Sequence, residues 1–331
     1  MSGNTRTETA VVFVVIKHNG LIAYGEACLP PYLGETVEQT IAFFEKCKPK
    51  LAELNTSDRL DLFLSDIDLI DPGCNAAKAA IDIALHDLFA KSQNLSFCAF
   101  KNIPFLASKQ TSFTIGIDHE AIIIQKIKEA ENFSVLKIKA GTNNDKALIQ
   151  LIRQHSQKPL FVDVNQGWTN PEEALRMIEW MSSMGVVLIE QPLKKDMIKD
   201  MKWLNQRSPL PIFADESVKR LTDLQKLEGA FSGINIKLMK CTGLNEALKM
   251  IDFCQQNKIK IFLGCMAESS CATAAMSQLM HFADYVDLDA PQLYLNDPFI
   301  GPKYLNGNIL VEERPGIGAF PEYSQRFNDL Q

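Results

Sequence analysis

From about residue 111 onward, short runs of β-branched and apolar residues alternate with amphipathic segments of helical periodicity. This alternation constrains the fold most, because it implies parallel strands joined by right-handed crossovers. We count eight runs, at 111–117, 135–140, 160–165, 187–191, 212–215, 234–238, 260–264 and 285–289. Eight is the number of parallel strands at which a sheet closes into a barrel. The competing fold is an open doubly wound sheet, but its nucleotide-binding form needs a Gly-rich phosphate loop after a strand, and none follows these runs.

The first hundred residues do not show this strand-helix alternation. Residues 10–17 and 21–27 flank the turn His18-Asn19-Gly20, which predicts a β-hairpin. Helical spacing follows at 36–47 and at 75–91, where Asn75 is a plausible N-cap. We therefore predict an α+β capping domain over residues 1–108 and a barrel over 109–291. Residues 292–331 are expected to fold back against the capping domain.

Composition excludes several classes of function. The 34 basic and 40 acidic residues leave a net charge of −6, and nucleic acids or acidic membranes attract basic surfaces instead. The early apolar run Ala10–Ile16 is far shorter than the roughly 18 residues that span a bilayer. The polar start lacks the pattern of a signal peptide, so we expect a cytoplasmic protein. The scattered cysteines and five histidines offer no zinc motif.

Charged and amide side chains interrupt the predicted barrel strands, which should otherwise be apolar because both faces are buried. They lie in or just after the later part of each strand, where barrel enzymes place their chemistry. The series comprises Lys137, Lys139, Asp163, Asn165, Glu190, Asp215, Glu216, Asn235, Lys237, Asp287 and Asp289.

The spacing of this series predicts one site. Lys139, Asp163, Glu190, Asp215 and Lys237 are separated by 24, 27, 25 and 22 residues, each about one strand-helix unit. With neighbouring strands roughly 45° apart around the barrel, the two lysines lie about 180° apart. Three carboxylates then lie between them.

An all-oxygen set of carboxylates suits a hard divalent cation, so we predict that Asp163, Glu190 and Asp215 hold one Mg²⁺ per chain. The alternative for an isolated Asp at a strand-helix junction is a helix cap. Lys139 and Lys237 are the predicted bases on opposite faces of one carbon, because a nearby cation and partial desolvation favour loss of an ammonium proton. Removing a proton on one side and returning it on the other inverts a stereocentre.

The remaining polar residues receive supporting roles. Asp287 and Asp289 project to the same face of their strand and suit a substrate ammonium group, the alternative being a turn into Ala290-Pro291. Glu268 follows the seventh strand and either lines the pocket or begins a solvated helix. We expect four residues to hydrogen-bond the site groups, with Glu216 also available to Lys237: Asn165, Gln191, Glu216 and Asn235.

The motifs K-I-K, D-V-N, I-E-Q-P, A-D-E-S and N-I-K-L-M-K together resemble the muconate-lactonising branch of the enolase superfamily. D-L-D-A-P on the last strand resembles the dipeptide epimerases, and the resemblance runs from about Arg6 to Gly318. It implies a modified (β/α)7β barrel, the same bases and Mg²⁺ ligands, and Asp287 with Asp289 as the clamp for a dipeptide ammonium group. It also implies that Lys137 assists at the substrate carboxylate. An oligomer and a role in recycling peptidoglycan peptides are further implications.

The predicted function is Mg²⁺-dependent epimerisation of the C-terminal residue of a dipeptide by 1,1-proton transfer through an enolate. In relatives, a first strand and part of a mobile lid precede the segment that resembles Arg6–Val14, so we expect part of the lid to be missing and the substrate specificity to change. Three alternatives keep the site but change the substrate: an N-acylamino acid racemase, an o-succinylbenzoate synthase and a cycloisomerase. A fourth is a non-catalytic barrel.

Overall fold

A computed structural model describes residues 7–57 and 59–322. The N-terminal part is an antiparallel hairpin followed by four helices. Its elements are β1 (Ala10–His18), β2 (Leu21–Leu29), α1 (Val37–Ala52), α2 (Leu60–Leu69), α3 (Asn75–Ser92) and α4 (Phe97–Lys101), with a 3₁₀ turn at Pro31–Leu33. The predicted hairpin is confirmed, with Ala10 paired to Leu29 and His18 to Leu21.

Helix α3 is the centre of this region and is buried along nearly its whole length. Its alanines let β2 approach so closely that a Cβ on Gly25 would lie 1.9 Å from the carbonyl oxygen of Ala80, so only glycine fits there. Asn75 was predicted as the N-cap, and this is wrong. Cys74 occupies the cap position, and the Asn75 side chain instead donates to the carbonyl of Lys240 at 2.9 Å.

The eight predicted runs form the eight strands of one parallel sheet, in chain order around the barrel. Strand β3 (Ser108–Gln110) precedes them, outside this sheet. The barrel strands are β4 (Phe113–Ile115), β5 (Leu136–Lys139), β6 (Leu160–Asp163), β7 (Val186–Glu190), β8 (Ile212–Ala214), β9 (Gly233–Ile236), β10 (Lys260–Gly264) and β11 (Tyr285–Asp287). The barrel fold predicted from the alternating pattern is confirmed.

Eight α-helices follow the barrel strands. They are α5 (Glu120–Glu129), α6 (Asp145–His155), α7 (Pro171–Ser183), α8 (Ile198–Asn205), α9 (Leu221–Leu224), α10 (Leu238–Cys241), α11 (Leu244–Gln256) and α12 (Ser270–Ser277). Short 3₁₀ turns occur at Gln225–Leu227, Met280–Phe282 and Ala290–Leu293. Within the described ranges, none of these helices combines the length and apolar character needed to cross a bilayer.

The first and last barrel strands meet through a few hydrogen bonds rather than a regular ladder. The backbone N–H of Ser112 donates to the carbonyl of Val286 at 3.1 Å, and the N–H of Leu288 donates to Thr111 Oγ1 at 2.9 Å. These bonds bring the end of β11 next to the start of β4. The side chains that follow β11 therefore face those of β4 across the seam.

Aromatic rings from β6, β8, β10 and β11 fill the barrel interior below the polar residues. Phe161, Phe213, Phe262 and Tyr285 pack edge to face, and all four pairs that involve Phe161 or Phe213 have centroid separations of 5.3–5.8 Å. Lys137 Nζ lies 5.3 Å from the centroid of Phe262. This aromatic layer closes the interior, so that polar chemistry is confined to the carboxyl ends of the strands.

Over residues 292–322 the structure has four further short strands, β12 (Phe299–Ile300), β13 (Lys303–Leu305), β14 (Asn308–Leu310) and β15 (Phe320–Pro321). Strand β14 pairs with β3, which leads into the barrel. Further on, the carbonyl of Gly316 accepts from the N–H of Phe97, and the N–H of Ile317 donates to Asp87 Oδ1 at 2.9 Å. The tail thus contacts both the barrel entrance and helices α3 and α4.

Candidate active site

Three buried carboxylates converge at the carboxyl ends of neighbouring strands. Asp163 and Glu190 end β6 and β7 and are register partners, and Asp215 directly follows β8. One oxygen from each lies within 4.8 Å of the others. The parallel register produces this convergence, because equivalent positions of adjacent strands place their side chains side by side.

Two lysines flank the carboxylates from opposite sides. Lys139 ends β5, and its Nζ lies 2.7 Å from Asp163 Oδ2. Lys237 follows β9, and its Nζ lies 2.8 Å from Asp215 Oδ2. Burial works against the charged form of Lys237, but the carboxylates of Asp215 and Glu190 outweigh it and hold its pKa well above the usual range. Among protein groups alone, each lysine is thus tied to a different carboxylate.

Lys240 is a third cation at the site, and its sequence position alone predicts no role for it. Its buried Nζ contacts Asp215 Oδ1 and donates to the carbonyls of Asp215 at 2.7 Å and Asn235 at 3.0 Å. Burial alone would raise the pKa of Asp215, but Lys237 and Lys240 together hold it well below its usual range. Asp215 is therefore ionised and fixed from two directions.

Lys137 lies at the centre of the site. Its Nζ is 2.7 Å from Asp287 Oδ2, 2.8 Å from Glu190 Oε2 and 3.5 Å from Asp163 Oδ2, and the residue is only 1% exposed. Burial disfavours the ammonium form, but these carboxylates overcome that cost and hold the pKa of Lys137 well above its usual range. Lys137 therefore links two of the clustered carboxylates, Asp163 and Glu190, to the last barrel strand.

The carboxylate cluster fits a hard cation. Burial, with the neighbouring charge of Asp163, raises the pKa of Glu190 to about 7. Among the described residues no hydrogen bond reaches Glu190 Oε2, although Lys137 is close. Crowded, buried carboxylates favour a divalent ion, which stabilises their ionised forms, and an all-oxygen donor set matches Mg²⁺.

Asp287 and Asp289 lie across the site from the carboxylate cluster, on and just after β11. Asp287 Oδ1 accepts from Ser112 Oγ at 2.7 Å, and Asp287 also pairs with Lys137. Asp289 Oδ2 accepts from the backbone N–H of Thr114 at 2.6 Å. Burial and the charge of Asp287 raise the pKa of Asp289 to about 7. The two residues thus differ, because Asp287 already has a cationic partner.

The predicted supporting residues are brought to the same place. Asn235 Nδ2 donates to Glu190 Oε1 at 2.7 Å, and Gln191 Oε1 accepts from the N–H of Asp215 at 3.0 Å. Asn165 Nδ2 donates to Glu216 Oε1 at 3.5 Å. Among the described residues the ion pair of Lys237 is with Asp215, and Lys237 is also one of the charges that act on Glu216.

Glu268, left open between a pocket residue and a solvated helix start, is 3% exposed and hence not solvated. One of its oxygens accepts from the backbone N–H of Met266 at 2.5 Å. Burial, with the charge of Glu26, raises its pKa to about 8, and Lys237 is among the charges that act on it. Glu268 therefore lies on the Lys237 side of the site.

Two polar residues at the first barrel strand have no predicted role: Ser112 directly precedes β4, and Thr114 lies within it. Ser112 and Thr114 hold Asp287 and Asp289, and they come from a segment more than 170 residues away in the chain. Their only sequence signal is the position of hydroxyl side chains around the first predicted strand. Barrel closure turns that weak signal into direct contacts.

Known proteins share both parts of this architecture. The family described as enolase C-terminal domain-like matches residues 122–323, and the N-terminal domain of mandelate racemase and muconate lactonizing enzymes matches residues 1–100. The L-Ala-D/L-Glu epimerase of Bacteroides thetaiotaomicron is 45% identical over 95% of this chain and 82% of its own. An L-Ala-D/L-amino acid epimerase of Pedosphaera parvula is 33% identical over 95% of this chain and 90% of its own.

Solved structures agree with these relatives. A substrate-liganded L-Ala-D/L-Glu epimerase from Bacillus subtilis aligns with a TM-score of 0.89 and 27% identity, over 95% of this chain and 91% of its own. The dipeptide epimerase of Enterococcus faecalis, complexed with Mg and the dipeptide L-Leu-L-Tyr, aligns with a TM-score of 0.87 and 31% identity, over 93% and 91%. The chain therefore belongs to the mandelate racemase and muconate lactonizing enzyme family of the enolase superfamily.

Proposed function

We propose that this protein is a Mg²⁺-dependent epimerase that inverts the α-carbon of the C-terminal residue of a dipeptide. The observation that carries the proposal is the pairing of two lysines with two different members of one carboxylate cluster. Lys139 approaches from β5 through Asp163, and Lys237 approaches from the end of β9 through Asp215. A substrate atom held above the cluster thus has an amine on each side.

The proton transfer follows from this arrangement. One lysine removes the α-proton and the other, protonated, delivers a proton to the opposite face, so the configuration inverts. A cation held by Asp163, Glu190 and Asp215 would supply positive charge that stabilises the enolate. With a cation bound there, the oxygens of Asp163 and Asp215 would hold Lys139 and Lys237 less tightly. The proposal assigns the substrate carboxylate to Lys137, and the position of Lys137 between the cluster and Asp287 supports this role.

The far end of the substrate carries an ammonium group in this proposal. Among the described residues, the cation within ion-pair distance of Asp287 is Lys137, and no ion pair reaches Asp289. A buried carboxylate with a raised pKa gains most from a cationic partner. Asp289 is therefore the main ammonium acceptor, with Asp287 beside it. N-acylamino acids and the substrates of a cycloisomerase or an o-succinylbenzoate synthase lack this group.

The relatives support the same reading, because several epimerases that share at least 30% of their residues with this chain are named for dipeptides or for L-Ala-containing substrates. The proposal includes a role in recycling peptidoglycan peptides, supported by the L-Ala-D/L-Glu specificity named for the Bacteroides relative. If L-Ala-D-Glu is among the fastest dipeptides to be epimerised, the result would agree with that role. If it is among the slowest, the role would be contradicted but the proposed epimerisation would not.

The test is incubation with Mg²⁺ in D₂O against a library of dipeptides, with deuterium incorporation read by mass spectrometry. We expect one deuterium at the α-carbon of the C-terminal residue and inversion of that centre by chiral chromatography. The N-acetylated form of each active dipeptide is the matched control, because it lacks only the ammonium group. Faster exchange of the acetylated form would favour an N-acylamino acid racemase, and no exchange with any substrate would favour a non-catalytic barrel.

A further inference from the structure

Asp145, the first residue of α6, binds the turn that follows the Lys139 strand. It is 1% exposed, and both of its carboxylate oxygens accept from the N–H of Gly141 at 3.0 Å. Oδ1 also accepts from the N–H of Thr142 at 2.9 Å and from its hydroxyl at 3.1 Å. One buried side chain thus fixes the backbone that begins two residues after Lys139.

Trp168 connects this turn to the next unit of the barrel. Its Nε1–H donates to Asp145 Oδ2 at 2.9 Å, and its backbone N–H donates to the carbonyl of Pro192 at 3.1 Å. The loop of Trp168 follows β6, which carries Asp163. The hydrogen bond between Trp168 and Asp145 therefore joins the loop after β5, which carries Lys139, to the loop after β6, which carries Asp163.

The two loops also touch through their backbones. Gly141 has a φ of +94°, and a Cβ on Gly167 would lie 2.4 Å from Gly141 Cα. A Cβ on Gly141 would lie 2.2 Å from the carbonyl oxygen of Val164. Backbones this close to each other restrict how the two loops can move relative to one another. The hydrogen bond between Trp168 and Asp145 is a second connection between the same loops.

Lys139 needs such support more than Lys237 does. The Lys139 side chain is 33% exposed, whereas that of Lys237 is 5% exposed. Both lysines are held by a proposed cation ligand, Lys139 by Asp163 and Lys237 by Asp215, but Asp215 and its partners are buried whereas the Lys139 side chain is partly exposed. The placement of the Lys139 ammonium then depends on the position of its backbone.

We propose that Asp145 and Trp168 are positioning residues that set the reach of Lys139 toward the α-carbon, an inference that rests on the proposed two-base function. They act on one base only. A loss of this support slows proton removal from the configuration whose α-proton faces Lys139. Proton removal by Lys237 from the opposite configuration does not use this hydrogen bond.

The test compares the variants Trp168→Phe and Asn170→Ala with the wild type in D₂O with Mg²⁺. Trp168→Phe removes the N–H donor while keeping an aromatic ring. Asn170 accepts from the N–H groups of Glu172 and Glu173 as the cap of α7, on the same loop but away from Gly141 and Asp145. It is therefore a control for general loosening of this loop.

The readout is exchange of the α-proton without inversion, measured separately for each configuration of the C-terminal residue. The configuration that Lys237→Ala still exchanges is the one that faces Lys139. We expect Trp168→Phe to slow exchange of that configuration about tenfold relative to the other, because small misplacements of a reacting group are costly. Asn170→Ala is expected to lower the melting temperature without changing the ratio, and Mg²⁺ affinity by calorimetry is expected to stay within twofold of wild type in both variants.

Equal slowing of both configurations by Trp168→Phe, or the same change of ratio in Asn170→Ala, would overturn the inference while leaving the proposed function in place. A wild type that exchanges neither configuration would overturn both. Asp145→Asn gives an independent measurement, because the amide cannot accept with both of its polar atoms. An unchanged ratio in a folded Asp145→Asn protein would equally count against the inference.

Discussion

The Lys139 side and the Lys237 side of the site carry the same functional group but hold it differently. Lys237 and Lys240 share the buried carboxylate of Asp215, whose backbone N–H is also bound by Gln191. Lys139 is partly exposed, pairs with Asp163 and precedes the turn held by Asp145. The two proposed bases thus have different surroundings. One lies in a buried ionic network, and the other is proposed to be positioned by the backbone of its loop.

Removing the divalent cation is expected to have the largest effect, and it should not distinguish the two sides. The carboxylate cluster lies between both lysines, so an excess of EDTA should reduce α-proton exchange of both configurations to the rate without enzyme. Added Mg²⁺ should restore both rates. Mass spectrometry of dipeptides in D₂O provides the measurement. If exchange of either configuration were undiminished after chelation, the lysine that faces this configuration would not need a cation at the carboxylate cluster.

Replacing each base separately should reveal the asymmetry directly. We expect Lys139→Ala and Lys237→Ala each to reduce epimerisation about a thousandfold, the scale of general acid-base catalysis. Each variant should keep exchange without inversion at the configuration that faces its remaining lysine. Chiral chromatography combined with deuterium analysis measures both quantities. Epimerisation at the wild-type rate by either variant would contradict the two-base scheme.

Asp289→Asn is expected to have an intermediate effect that both sides share. The substrate ammonium group is the same whichever lysine acts, so the KM for dipeptides should rise about ten- to hundredfold for both configurations, as for loss of a charged hydrogen bond. Steady-state kinetics with each configuration provide the measurement. A rise in KM for only one configuration would mean that Asp289 acts together with one of the two bases. An unchanged KM would mean that Asp289 does not bind the ammonium group.

The smallest expected effect tests whether the Lys237 side depends on the capping domain. Arg220 follows Asp215 by five residues and binds both oxygens of Asp68 on α2 at 2.9 Å. Asp68→Asn should lower the free energy of unfolding by about 2 kcal/mol, because it removes the partly solvated pair with Arg220 and also the pair with the buried Lys78. It should leave the exchange ratio unchanged. Arg59→Gln, in the exposed Arg59–Asp61 pair, is the matched control and should have a smaller effect.

The stabilisation that Asp68 contributes depends on pH, and its pH dependence follows from the pKa of Asp68. Burial opposes ionisation, but Arg220 and Lys78 hold the pKa of Asp68 below its usual value. The stabilisation is therefore present above the unfolded-state pKa of about 4 and is lost as the pH falls through the lower folded-state value. Urea unfolding at several pH values measures it. If Asp68→Asn slowed α-proton exchange only for the configuration that faces Lys237, the capping domain would be shown to support this base.

The sequence by itself determined the barrel and the approximate membership of the site. Strand-helix periodicity sets which residues end each strand, and parallel register then places Lys139, Asp163 and Glu190 side by side. The prediction of one converging set from spacings of 22–27 residues needed only this periodicity. A cap such as Asn75 was predicted less well, because the start of α3 depends on the left-handed backbone of Cys74 and on contacts with the barrel.

Only the tertiary structure decided how the polar groups share their partners. Closure between β4 and β11 brings Ser112 and Thr114 to Asp287 and Asp289, and the helical turn after β9 folds Lys240 back onto Asp215. It also decided that Glu216 meets Asn165, and that Trp168 reaches Asp145. Periodicity assigns a residue to the end of a strand, but hydrogen-bond partners depend on side-chain rotamers and on the approach of separate loops. The physical reason is that backbone repeats are local, whereas these contacts arise from packing between distant parts of the chain.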